Sequence, residues 1–82
     1  MIVVAQCKGT LIPFKENIFT ACNGKIIVHK DIMVEQSEIQ YRFIATYNDN
    51  ATAKKVLKDM VTRYTMGAPV YYLPCADEAE KL

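Results

Sequence analysis

Tryptophan is absent from this 82-residue chain, and histidine occurs once, at His29. A lone imidazole leaves one possible Cys–His pair per cysteine and no histidine metal cluster. Cysteine is sparse and odd in number: Cys7, Cys22 and Cys75. Their spacing contains no C-x₂-C pair, which disfavours both a disulfide framework and a structural zinc site. Glycine is limited to three residues, and no glycine-rich loop of the phosphate-cradling kind is present. No apolar run approaches the ~18 residues of a membrane helix. Charge of one sign is also missing. Ten basic against nine acidic residues leave a formal charge of +1, far below that of a strongly basic nucleic-acid binder.

What is abundant is apolar side chain, 51% of the residues. On size scaling a chain of this mass buries roughly 8,500 Å² on folding. If somewhat over half of that area is apolar, its burial contributes about 120 kcal/mol. Ordering the chain at about 1.5 kcal/mol per residue costs about the same. Such a fold is marginal by itself, which favours a homodimer or another covered surface. The near-zero net charge hides an asymmetry: residues 1–74 carry nine basic and six acidic side chains, whereas 75–82 carry Asp77, Glu78 and Glu80 against Lys81. The expected organisation is one domain over 1–74 followed by an acidic, frayed tail over 75–82.

Periodicity supplies the elements. Residues 2–12 are rich in β-branched side chains and read as a strand, with Val3, Ala5, Cys7 and Leu11 inward and Gly9 marking a bulge. Ile18 to Cys22 is a short strand, and Asn23-Gly24 behind it is the strongest hairpin signal in the chain. Two further strands are expected over 25–34 and 38–47. In the latter, Ile39, Tyr41, Phe43, Ala45 and Tyr47 alternate with polar residues, which places Ile44 outward. After Asn48-Asp49-Asn50 the period changes: Ala53, Val56, Leu57, Met60, Val61 and Tyr64 form one helical stripe ended by Gly67 and Pro69. Val70 to Leu73 reads as a last strand. The order β-β-β-β-α-β predicts an α+β fold: two layers, a mostly antiparallel sheet of four to five strands with one helix packed on it.

No catalytic constellation emerges. The acidic residues are scattered, and a phosphate at the helix N-terminus would face Asp49. Asn50-Ala51-Thr52 is an N-x-T triplet, but such triplets recur by chance. Ile2 to Ala5 is only four apolar residues long and runs into Gln6 and Lys8, so no signal-peptide pattern opens the chain. The expected compartment is the cytoplasm, with reduced thiols, no cofactor, no metal and no membrane association.

Two binding classes remain. The first is a non-catalytic protein-binding regulator or inhibitor, a homodimer of the size and simplicity found among bacteriophage inhibitors of host enzymes and antitoxin-like regulators. Its contacts would come from apolar side chains assigned to outer faces: Ile27, Met33, Ile44, Tyr71 and Tyr72. The second is a regulator binding RNA or single strands through Lys54, Lys55, Lys58 and Arg63 on the outer face of the helix, opposed there only by Asp59. The first is the favoured expectation, because a charged helix face is more often simply solvated.

Overall fold

Asn23 and Gly24 form the turn expected of them. In the computed structural model, which describes residues 1–30 and 41–82, φ is 51° at Asn23 and 80° at Gly24. Two successive left-handed residues make the tight turn whose twist matches a hairpin. The turn joins β3 (Asn17–Cys22) to β4 (Lys25–Lys30), with Cys22 opposite Lys25. It is also docked. Gly24 donates its N–H to Asn50 Oδ1 at 3.2 Å and accepts from the Tyr47 N–H at 2.7 Å.

The fold is α+β, but its strands divide into two small sheets. The first has the order β2-β1-β6, built from β1 (Ile2–Val4), β2 (Leu11–Pro13) and β6 (Val70–Tyr72). The second has the order β3-β4-β5, with β5 at Arg42–Thr46. Pairing is antiparallel except between β1 and β6, which run parallel. Residues 2–12 are therefore not one strand. The chain reverses between Val4 and Leu11, with Lys8 at φ 64° and Ala5 donating to Thr10 O at 2.9 Å. Gly9 marked this reversal rather than a bulge, and Cys7 is exposed at the turn instead of inward. The shift exchanges the expected facing of the neighbours too: Ile12 is buried and Leu11 is 68% exposed.

The helix α1 spans Asn50–Thr65. Asp49 caps it by accepting the Thr52 N–H at 2.7 Å. At the other end Gly67, at φ 82°, donates to Tyr64 O, while Ala68 donates to Arg63 O. This pair of reversed bonds ends a helix on a left-handed glycine. Ala53, Val56 and Met60 are buried, but Val61, on the flank of the stripe, is more than half exposed. Residues 75–82, acidic in composition, carry a one-turn helix α2 (Ala76–Ala79) whose Ala79 is fully buried. One core cluster joins both sheets and both helices, through Val3, Ile12, Ile26, Val28, Val56 and Met60 among others. No helix among the described residues is long and apolar enough to cross a membrane.

A β-bulge decides which side chains of β5 face that core. The β4–β5 register slips between Ile26 and Ile27, so that Ile26 opposes Ala45 while Ile27 opposes Phe43. Ile44 is the extra residue. A bulge inverts the alternation on one side of it. Ile44, expected outward, is only 5% exposed, whereas Phe43 and Tyr41, expected inward, are 66% and 60% exposed.

The two left-handed glycines make a graded test. An alanine Cβ at Gly24 would lie 2.8 Å from the Tyr47 carbonyl oxygen, while one at Gly67 would meet nothing within 4 Å. Gly67→Ala should cost about 1 kcal/mol, from backbone conformation alone. Gly24→Ala should cost at least about 2 kcal/mol, since the clash adds to the same strain. Urea denaturation of the two variants beside wild type measures both values, and equal costs would show that the hairpin turn is not docked on β5.

Candidate functional site

Two outward sheet faces and one helix face are available for binding. On the first sheet the inward row is Val3, Ile12 and Tyr71, which are opposite one another in register. The alternate residues point away from the core: Ile2 and Val4 on β1, Leu11 and Pro13 on β2, Val70 and Tyr72 on β6. None of these six carries a charge. Leu11 and Tyr72 are 68% and 67% exposed. Val4, flanked by these two, is buried without joining the core cluster.

The two edges of this sheet differ. Ile2 and Pro13 form a pair whose strand groups turn away from each other, so the missing proline N–H lies on the open side of β2. Proline there blunts the edge. The opposite edge, β6, is not blunted. Ile2 donates to Pro69 O and Leu73 donates to Val4 O, both at about 3.0 Å. Alternation then turns the N–H and C=O groups of Val70 and Tyr72 away from β1. Alongside them runs a surface cleft of about 360 Å³, with Asp59, Arg63, Glu78 and Leu82 among its lining residues.

Tyr71 and Tyr72, adjacent in sequence, have opposite duties. Tyr71 is buried at 7% exposure, and its hydroxyl donates to Asp59 Oδ2 at 2.8 Å. Burial first, and this bond second, push the Tyr71 hydroxyl well above the ordinary tyrosine range. Tyr47 is comparable: its hydroxyl donates to Pro74 O at 2.8 Å, and burial, reinforced by Cys75, pushes it up to about 12. Both are neutral hydrogen-bond donors that fasten the chain around β6, and Tyr71 is turned inward, not outward as expected. Ile44, also expected outward, is buried at the bulge. Of the five expected contact residues, Tyr72 is exposed and Ile27 is half-buried on the outward face of the second sheet. Met33 lies outside the described residues.

That second outward face has three strands of residues in register. Ile18, Thr20 and Cys22 line β3, and His29, Ile27 and Lys25 stand opposite them on β4. Phe43 stands opposite Ile27 across the β4–β5 pairing. The Lys25 ammonium lies over the Phe43 ring, 5.1 Å from its centroid. The His29 ring meets Tyr41 edge-on at 5.9 Å. The exposed aromatics of this face were missed by the alternation pattern. The uninterrupted apolar run Phe43-Ile44-Ala45 is the signal that marks the bulge.

The basic helix face is present but loosely organised. Lys54, Lys55 and Lys58 are exposed, while Arg63 reaches back to Asp59 at 3.8 Å. The helix N-terminus is occupied by the Asp49 carboxylate. Asn50 of the N-x-T triplet accepts the Gly24 N–H. His29 and the exposed Cys7, Cys22 and Cys75 do not assemble: no group of three or more metal-ligating side chains forms among the described residues. The Cys75 thiol donates to Glu78 at 3.1 Å and holds that carboxyl below its usual range. No family model, curated protein or solved structure matches this chain, so its surfaces must be interpreted from their own geometry.

The helix cap gives a pH dependence of known sign. The Thr52 N–H and hydroxyl hold the Asp49 carboxyl below its ordinary value. A carboxyl depressed in the folded state adds stability above its unfolded pKa of about 4. That stability is lost as pH falls through the folded value. Asp49→Asn keeps the capping acceptor but removes the titration, so its stability relative to wild type should be higher at pH 3 than at pH 7. Asp49→Ala should be the least stable of the three at pH 7. Urea midpoints at the two pH values check both statements. Separately, Tyr71→Phe should cost about 1 kcal/mol, whereas Tyr72→Phe should change the urea midpoint little.

Proposed function

We propose that this protein is a small, non-catalytic, cytoplasmic docking module, a regulator or inhibitor that acts by covering part of another protein. The observation that carries this reading is the outward face of the first sheet, six side chains on three strands without one charge among them. Five of the six are exposed around the buried Val4, and an uncharged apolar patch of this kind marks an interaction site. The occupant is an extended apolar segment of the partner, which adds to β6 as a further strand and lays its side chains over Tyr72 and Val70. Backbone bonding at an open edge supplies affinity, and the alternate side-chain positions supply selectivity. Arg63 and Glu78 beside the cleft give the incoming segment its polar boundary.

The open β6 edge also suits a second copy of this chain, β6 against β6 about a twofold axis. Self-association and partner binding then compete for one edge. The favoured target class is an enzyme or toxin of the host cell. The basic helix face ranks lower, because one of its four cations is already paired with Asp59 and no aromatic side chain lies among them.

Leu11→Lys and Tyr72→Lys place charges on exposed positions and should alter stability by no more than about 0.5 kcal/mol. Tyr72→Lys, at the β6 edge, should convert a dimer to a monomer in sedimentation velocity, and both variants should abolish capture of the partner from nuclease-treated cell extract. The Lys54→Glu/Lys58→Glu variant should capture it as wild type does. If the helix variant fails and the two sheet variants succeed, the docking face has been assigned to the wrong side of the molecule.

A further inference from the structure

We infer that the outward face of the second sheet is a binding platform for single-stranded nucleic acid, separate from the docking face. Three observations converge there. The bulge at Ile44 turns Phe43 out of the core, and Tyr41, two residues earlier, is equally exposed. Two residues along an extended chain are about 7 Å apart, so the rings stand as neighbouring platforms at the start of β5, Tyr41 just before it and Phe43 within it. Exposed aromatic rings on an antiparallel sheet stack unpaired bases, whatever their sequence.

The charge around these rings has the sign a phosphate backbone requires. Lys25 lies over Phe43, where its ammonium can reach a phosphate next to a base stacked on that ring. Lys30 and Arg42 are exposed but alternate with this row: Lys30 shares a side with Ile26 and Val28, and Arg42 stands opposite Val28, so Lys25 is the lysine of this face. Strands β3, β4 and β5 contain no acidic residue. The His29 ring, edge-on to Tyr41, holds that aromatic in place.

Single strands suit this geometry better than a duplex, because bases in a helix are already stacked and present no free face. The helix face lacks this pairing of features. Lys54, Lys55 and Lys58 are exposed without an aromatic side chain among them, which suits diffuse attraction and not base recognition.

Fluorescence anisotropy of labelled oligo-dT and oligo-U of about 12 nucleotides, titrated with the full chain, tests the inference. Binding should be saturable, and it should weaken about threefold between about 50 and 200 mM salt, as the one phosphate contact of Lys25 implies. Phe43→Ala and Tyr41→Ala should each weaken it at least about fivefold. Phe43→Leu should weaken it as alanine does, while Phe43→Tyr should retain it, which separates stacking from mere apolar contact. Circular dichroism of each variant confirms that the exposed substitutions leave the fold intact. No binding at millimolar protein would overturn the inference. So would equal affinity for Phe43→Ala, equal affinity for a duplex of the same length, or loss of binding through Lys54→Glu/Lys58→Glu instead. Failure here leaves the protein-docking reading standing, since Leu11 and Tyr72 belong to the other sheet.

Discussion

The side-chain amide of Gln6 joins the two halves of this molecule. Its Oε1 accepts the Thr46 N–H at 2.9 Å, and its Nε2 donates to Thr46 O at 3.3 Å and to Pro74 O at 3.1 Å. The Gln6 backbone N–H donates to Ile44 O at 2.9 Å. One glutamine thus stands in for a strand along β5 at two successive positions, where a sheet of three strands would otherwise leave its edge unpaired. It also ties that edge to the segment leaving β1 and to the turn after β6. A side-chain amide has the same donor and acceptor as a peptide group, which is why glutamine can make this substitution.

The consequences run through the bulge. The Gln6 N–H bonds the carbonyl of Ile44, the extra residue of β5, and its side chain bonds the residue two positions on. Ile44 and Ala45 both enter the core, next to Tyr47. Phe43 and Tyr41 are left outside. The same local irregularity therefore completes the core and creates an aromatic face. On the other sheet the reversal at Lys8 sends Leu11 outward and Ile12 inward, and leaves a face without charge. Two sheets too small to bury both of their sides share one core, and Gln6, together with the Tyr47–Pro74 bond, fastens their edges.

Most of the elements were legible in the sequence. The Asn23-Gly24 turn, the Asp49 cap, the buried positions of α1 and the Gly67 terminator each rest on local chemistry, which acts over a few residues and is visible there. The facing of side chains in β5 was not legible from period two alone, because a bulge resets the period and is fixed by partners distant in sequence. Lys8 in a left-handed conformation gave no signal, since lysine has no side-chain reason to adopt it. Two of the five expected contact residues, Ile44 and Tyr71, were displaced for these reasons: one by the bulge, and one by the pairing of Val3 with both Ile12 and Tyr71. The bridge that Gln6 makes between the two sheets was not legible either, because its partners Ile44, Thr46 and Pro74 are distant in sequence.

Native-state hydrogen exchange on wild type and Gln6→Ala tests this account most directly. In wild type, the most protected amides of β1 and β4 should open with the same free energy, as one cooperative unit. In Gln6→Ala, Thr46 should exchange at least about tenfold faster, and the β1 amides should open at lower free energy than those of β4, a loss of about 1–3 kcal/mol for unpaired backbone groups. Unchanged exchange at Thr46, or equal weakening of both sheets, would contradict the claim that Gln6 couples their edges.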